Sequence, residues 1–562
     1  MSKLKTFVLD NYRKLYFCFL INLFFFIVFN IFFYCRYHTV DDVFMEMISC
    51  GAYGSYDFHL VYINVVIGFF LKALYSISNV IPWYGIMHIV MAIICFSLIL
   101  YVFFNRGNKY AICLSILTVF VASFEAYTRV QFTKTAAYLA IAGYLLIADS
   151  LHDQKWSIKH IAGILLILNS FMMRPGMFFA CSAICLAFFV PVIYNCLAKK
   201  DAVPFKKLFV IGAVSLALVT SVFLIDKLAY SGEGWKYYKN FNEYTTQLED
   251  INFPDYELYE KEYNEMGIDY EDYVLYSSID HNDPDLFDMD KMQKVKQLQP
   301  YKTMNIDEFI EFLLGGFNKF FKERTVICFT FLYLWSLLLV LFGSKCEIEN
   351  VISIIVSWCF AFAALFYTYC MHRWLDRTTI SIILVLIFVN LFFVKTRDNR
   401  FFRWLSVLGS LVLVCMSLYT WKDTYKWNMG KWLSKYQINH EVLDEVYADQ
   451  EHLYISRVSW PAWKSYYTPY DAIRKDSMAN YSPLGDWLAN SPLSVSVLNK
   501  YGVVNPYKDI IDNNKVYLIG DGSNLEPVIT YIKKHYNSKA EAVLVRTVGP
   551  YEVYSIRTEP LQ

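Results

Sequence analysis

The sequence predicts an α-helical polytopic membrane protein with about 11 spanning helices, one further apolar helix that lies at the interface without crossing, and a C-terminal extracytoplasmic α/β domain. Three observations carry this. Of the 562 residues, 56% are hydrophobic and the mean hydropathy is +0.32, more apolar than a soluble protein. Apolar windows of roughly 20 residues, enough to cross about 30 Å of hydrocarbon, recur along the first 420 positions. Lys+Arg and Asp+Glu are both 51, so there is no net basic field of the kind that binds nucleic acid, and the distribution of charge becomes the informative quantity.

The chain opens with Lys3, Lys5, Arg13 and Lys14 ahead of an apolar run over Leu15 to Tyr34. That run is too long for a signal-peptide core and has no A-x-A site, so it reads as the first span. Further windows fall near 58–78, 82–104, 110–125, 133–150, 158–173, 176–198, 207–226, 323–342, 351–370, 378–394 and 402–420. If every window crosses, the basic N-terminus and the basic short loops land on opposite sides. Those loops hold Arg106, Lys109, Lys155, Lys159, Lys199, Lys200, Lys206, Lys207, Lys345, Lys395, Arg397, Arg400 and Arg403. The alternating loops hold Arg129, Lys134, Arg174, Arg373 and Arg377. Cytoplasmic loops carry the excess of Lys and Arg, which places the N-terminus with the richer set and requires one window before Asn105 not to cross. The segment 58–78 (HLVYINVVIGFFLKALYSIS) fits, because Asn64, Gly68, Lys72 and Ser76 form a narrow polar stripe on an apolar helix.

This reading divides the chain into a membrane part at 1–420 and a C-terminal α/β domain at 421–562. The membrane part carries a first external loop at 35–81 and a large external loop at 227–322. The large loop is rich in Tyr, Asp and Glu and is expected to cap the membrane part. The tail begins with Trp421, Trp427 and Trp432, suited to the headgroup layer. Farther on, Lys515 to Gly520 reads as a strand, Asn524 to Tyr536 as a helix, and Ala542 to Arg557 as two strands joined at Gly549-Pro550. The thirteen cysteines lie mostly in apolar runs without CxxC spacing, which suggests neither a disulfide framework nor a zinc site. Asp280 to Asp290 lacks the glycine and the twelfth-position glutamate of an EF-hand, and Gly520-Asp-Gly522 does not continue as GxGxxG.

The residues fit for chemistry gather at one level. Asp41 and Asp42 follow the first span by a few residues, just beyond the hydrocarbon boundary. Two adjacent, partly desolvated carboxylates suit removal of a proton from a hydroxyl, or the holding of a divalent cation such as Mg or Mn. An acidic first helical turn after Thr39 is the plain alternative. Arg174, in NSFMMRPGMF, interrupts an apolar stretch near the same boundary. It could grip a phosphate with two prongs or simply reach for water. Arg129, Lys134, Arg373 and Arg377 join it at that level, where an anionic ligand, lipid headgroups, or pairing with Glu125 and Asp376 would each account for them. Glu46, His59 and His372 complete the candidates, for acceptor contact or another role at the site.

A basic N-terminus, one span, an external loop bearing an acidic pair in TVDDVFM, and then a non-crossing apolar helix together resemble the GT-C glycosyltransferases. In residues, Asp41-Asp42 carries the likeness; the rest is layout over 1–420. The resemblance implies that Asp41 or Asp42 is the general base, while the other orients the acceptor or binds a metal. It implies a donor phosphate held by Arg174, Arg129, Lys134, Arg373 and Arg377. It further implies a polyprenyl-phosphate-linked sugar as donor and an extracytoplasmic glycan, lipid or polymer as acceptor, with inverting displacement. The tail becomes an acceptor-binding or lid domain, and the protein sits in the bacterial cytoplasmic membrane with its N-terminus inside. No organic cofactor is implied. The alternatives are a polysaccharide polymerase acting on a diphosphate-linked oligosaccharide, and a transporter or flippase of a lipid-linked glycan. A transporter should show interrupted helices in two matched halves and ionisable groups at the midplane, whereas the ionisable groups here crowd one boundary.

Overall fold

The computed structural model describes residues 13–559 apart from 199–201, 252, 279, 281, 300–304, 321–323, 344–346, 372, 395–399, 427–432, 458–466, 486–487 and 521. Its first half runs α1 (Leu15–Phe32), β1 (Arg36–Tyr37), α2 (Val40–Ser49), α3 (Val65–Ile77), α4 (Trp83–Arg106), α5 (Lys109–Thr128), β2 (Arg129–Val130), α6 (Phe132–Ser150), α7 (Ile158–Met173), α8 (Pro175–Leu197) and α9 (Val203–Ala229). After a helical excursion, α10 (Arg324–Gly343), α11 (Ile348–Cys370), α12 (Asp376–Phe393) and α13 (Arg400–Lys426) return to the bundle.

Among the described residues, nine helices are long and apolar enough to cross a membrane, and the chain is an integral membrane protein. Three of the twelve windows fall outside the nine. Residues 58–78 contain a helix of 13 residues and 158–173 one of 16, while α6 has 19 residues but carries Lys134 and Asp149. By length and composition, nine of the twelve windows qualify.

The bundle has two chemically distinct ends. At the basic end, Asn105 donates to the Arg13 carbonyl at 3.3 Å, Arg106 to the Phe392 carbonyl at 3.0 Å, and Asn108 to the Val394 carbonyl at 2.8 Å. Lys159 pairs there with Asp149 at 2.9 Å, and Lys207 reaches the Asp153 carbonyl. The opposite end holds residues 34–38, the starts of α4, α6 and α12, and the ends of α5, α7 and α9. Although outside the nine, α6 and α7 join both ends. Helix α3 does not. The Asn64 N–H at its start donates to the Met172 carbonyl at 2.8 Å, and Tyr75 near its other end accepts from Tyr84 N–H at 3.1 Å, so both termini are fixed at the same end of the bundle.

The C-terminal region forms a five-stranded sheet of order β4-β3-β5-β7-β6, from β3 (Leu453–Ser456), β4 (Tyr481–Pro483), β5 (Val516–Gly520), β6 (Glu541–Val548) and β7 (Tyr551–Arg557). Strand β3 lies parallel to β4 and β5, whereas β7 runs antiparallel to β5 and β6. The expected strand near 515–520, the helix (Gly522–His535) and the final hairpin are present. Strands β3 and β4 are not evident in the sequence because each is short and buried on both faces, which removes the alternation that marks a strand.

The large loop does not stand alone as a cap. Phe241, Leu275, Tyr276 and Phe287 share one hydrophobic core with Leu453, Leu518, Val528 and Tyr531. Asp283 at its centre accepts from Asn505 at 3.0 Å, Tyr531 at 2.8 Å and Tyr536 at 2.6 Å. Trp421, read from sequence as a headgroup contact, is instead buried within α13, stacked on Phe124 at 4.5 Å.

Because Asn105 and Glu257 are exposed and belong to opposite ends, a membrane-impermeant thiol reagent applied to intact cells is expected to label a cysteine at Glu257 and spare one at Asn105. The reverse pattern would invert the orientation.

Candidate active site

Helix α2 begins at Thr39, an extended residue whose side chain makes no cap bond to the backbone. Acids in its first turn favour the helix dipole, but Asp42 does more than cap. It is fully buried; its Oδ1 accepts the Tyr84 hydroxyl at 2.9 Å and the Phe132 N–H at 3.1 Å, and its Oδ2 accepts the Thr39 hydroxyl at 3.0 Å. Burial, then the neighbouring Asp41 charge, push Asp42 up to about 7. Asp41 is half-buried. The two acids therefore differ in access: Asp42 is enclosed and bonded to three donors, while Asp41 retains exposure.

Phe132 joins this acid to the arginines. Its backbone N–H binds Asp42, and its ring lies 5.3 Å from the guanidinium of Arg174, which also sits 5.1 Å from the ring of Tyr62. The two rings are nearly parallel, at 9° and 6.2 Å. Arg174 occupies the extended break between α7 and α8 that Pro175 imposes. Burial lowers its pKa, Arg373 and Arg377 add to that lowering, and Tyr62 and Asp41 oppose it, so those four groups stand within electrostatic reach of it. Arg373 follows the end of α11, its N–H bonded to the Thr368 carbonyl at 2.8 Å, and the Arg377 N–H donates to Asp376 at 2.7 Å. His372 lies outside the described residues.

Arg129 and Lys134 are engaged otherwise. The parallel pairing of β1 with β2 sets Arg36 opposite Arg129. Arg129 contacts Glu125 at 3.5 Å, Asp376 at 3.7 Å and the His38 ring at 2.6 Å. The buried Lys134 pairs with Glu125 at 3.0 Å. His38 is pushed down to about 3 by burial and by the Arg129 and Lys134 charges. It stays neutral and can accept from Arg129. This network ties the ends of α5, α6 and α12 together and bounds the site.

Glu46 is buried beneath Asp42, bonded to Tyr37 and Tyr75 at 2.6 and 2.8 Å. His59 has both ring nitrogens occupied, by Asp57 at 2.7 Å and the Ala229 carbonyl at 3.1 Å, and stacks on Trp235 at 4.2 Å. It pins the first loop to the end of α9. Among the described residues, no group of three or more His, Cys, Asp or Glu is arranged to hold a metal ion, and the three donors on Asp42 leave it little capacity to ligate one.

Sequence reasoning did not single out Tyr37, Tyr62, Tyr75, Tyr84 or Phe132, and no local signal marks them among 45 tyrosines and 46 phenylalanines. Nor did it find the tail segment that binds the loop after the acidic helix. Asp476 and Met478 donate N–H bonds to the carbonyls of Gly51 and Ala52, at 3.0 and 2.8 Å. The Tyr470 hydroxyl donates to Asn30 at 2.7 Å. Pro469 presses so closely on Gly85 that a Cβ there would lie 2.2 Å from its carbonyl oxygen.

Gly85→Ala is therefore expected to lift this strap and speed hydrogen exchange at Asp476 and Met478 by mass spectrometry; unchanged protection would show that the strap adjusts elsewhere. A second expectation concerns pH. Asp42 holds its proton to about 7 in the fold, against 3.8 ordinarily, so between these values the folded chain binds more protons than the unfolded chain and stability falls as pH rises. Asp42→Asn should flatten that part of the thermal-melting profile in detergent, and a slope equal to wild type would show that Asp42 does not titrate there.

No family model matches the chain. No curated protein matches it either. Among solved structures it is similar to ArnT from Cupriavidus metallidurans in the apo state, at 9% identity over 95% of this chain and 97% of that chain, with a TM-score of 0.42. So low an identity and TM-score carry neither fold family nor activity across to this chain.

Proposed function

We propose that the protein transfers a sugar from a polyprenyl-phosphate carrier to a hydroxyl of a glycan, lipid or polymer acceptor at the extracytoplasmic membrane surface. The observation that carries this reading is the convergence at Phe132, one residue whose backbone binds Asp42, the neighbour of Asp41, and whose ring underlies the Arg174 guanidinium. The GT-C-like layout of the sequence supports it.

In this proposal Asp41, the more accessible acid, is the general base. It takes the proton of the acceptor hydroxyl as that oxygen forms a bond to the anomeric carbon. The bond from that carbon to the phosphate oxygen breaks, and its electron pair leaves with the polyprenyl phosphate. Displacement from the face opposite the leaving group inverts the centre. Arg174, with Arg373 and Arg377, receives the growing phosphate charge. Held over two aromatic faces, the Arg174 guanidinium is already oriented and partly desolvated, which strengthens its pull on an anion. Asp42 is a positioning residue, and Arg129 and Lys134 frame the site through their carboxylate partners.

The test offers purified protein a panel of polyprenyl-phosphate monosaccharides with candidate acceptors and follows release of free polyprenyl phosphate. Asp41→Asn is expected to lower the rate by about 10²- to 10⁴-fold, the range for loss of a general base, with melting temperature unchanged. Full activity would remove Asp41 from the mechanism. Arg174→Ala should weaken binding of sugar-free polyprenyl phosphate by roughly thirtyfold, on the order of 2 kcal/mol for a charged contact. An unchanged affinity would return Arg174 to a structural role.

A further inference from the structure

Glu46 stands one helical turn beyond Asp42 on α2, the spacing that puts two side chains on one face, and it is fully buried. Its oxygens meet hydroxyls from two different elements, Tyr37 of β1 at 2.6 Å and Tyr75 of α3 at 2.8 Å. Tyr75 Oη accepts the backbone N–H of Tyr84 at 3.1 Å, and the Tyr84 hydroxyl donates to Asp42 at 2.9 Å. Glu46 and Asp42 are thus linked through α3 and the start of α4, and Glu46 also holds β1. Neither bonded partner of Glu46 is a cation, and a buried carboxyl group without a cationic partner is driven to the neutral form.

We propose that Glu46 is a positioning residue of the transfer site, acting as a neutral carboxylic acid that fixes β1, α3 and the start of α4 against the acidic helix and so sets where Asp41 and Asp42 stand. The proposal rests on the assignment of the acidic pair to glycosyl transfer. The titratable groups facing Glu46 are Tyr37 on β1, Tyr75 on α3, Tyr84 on α4, Asp42 and Cys50 around α2, and Asp471 from the tail strap. None is cationic. Burial pushes Glu46 up to about 8; the two tyrosine hydroxyls oppose that shift, and Asp471 and Asp42 add to it. With a proton on the carboxyl, the short contact to Tyr37 can run from acid to phenol while Tyr75 still donates, since hydroxyl hydrogens rotate to suit. Losing that proton places a second negative charge one turn from Asp42 and loosens the chain of hydrogen bonds.

Infrared spectroscopy of the full chain in nanodiscs, titrated across about pH 8, tests the neutral acid directly. The wild type should show a protonated-carboxyl band that fades through that pH and is missing from Glu46→Gln. In Tyr75→Phe the same band should persist with its midpoint moved upward, because a hydrogen bond favouring the carboxylate is gone. With whichever lipid-linked monosaccharide the wild type turns over, Glu46→Gln should lower kcat roughly tenfold, leave KM for the lipid unchanged, and lose the decline in rate above about pH 8. A Glu46→Gln spectrum identical to wild type overturns the neutral acid. A lowered kcat with the wild-type pH profile overturns the positioning role. If the band behaves as expected while the wild type turns over no sugar lipid, the transfer reading falls and the neutral Glu46 remains.

Discussion

A buried carboxylate with three donors from three places in the chain holds the functional end of this protein together. Asp42 receives a hydroxyl from Thr39 just ahead of its own helix, another from the start of α4, and a backbone N–H from the start of α6. Each donor would be costly to leave unpaired at that depth, roughly 1–3 kcal/mol apiece, so the three elements are fixed to one point. The Phe132 N–H lies in the first turn of α6, where helix geometry leaves it without an intrahelical partner. Asp42 fills that gap, and the ring of the same residue becomes the floor beneath Arg174. The distance between acid and arginine is thereby set by one peptide unit and one side chain.

Around that point the cations divide into two groups. Arg129 and Lys134 are paired with Glu125 and Asp376 in a compact network whose Lys134–Glu125 pair is buried and whose Arg129 and Asp376 are half-buried, which offsets the cost of enclosing them. Arg174 lies on aromatic faces, with Arg373 and Arg377 in electrostatic reach. The same positive residues that depart from the charge bias of membrane loops therefore do different work. One set is neutralised by carboxylates, and the other has an aromatic floor beneath Arg174.

The large loop and the tail are far apart in sequence and form one extramembrane body, with Asp283 accepting bonds from Asn505, Tyr531 and Tyr536. That body reaches back to the membrane part through the strap at 467–478. Two backbone bonds to Gly51 and Ala52 and the close fit of Pro469 on Gly85 fix the strap to the loop after the acidic helix and to the start of α4.

What the sequence by itself determined follows from local chemistry. Length and apolarity marked twelve windows, of which nine form helices able to cross a membrane, the bias of Lys and Arg sorted the loops into two ends, and the polar stripe of 58–78 marked a helix held at one end of the bundle. The acidic pair in TVDDVFM and Arg174 beside Pro175 were readable because charge is rare at that depth. Only the tertiary structure decided which aspartate is enclosed, which cations are neutralised by partners, and which tyrosines carry hydrogen bonds to Asp42 and Glu46. Those outcomes depend on contacts between residues dozens to hundreds of positions apart, and a tyrosine that bonds a buried carboxylate has the same sequence surroundings as one that faces lipid. The two short inner strands were hidden for a related reason, since burial on both faces erases the alternation by which a strand is read.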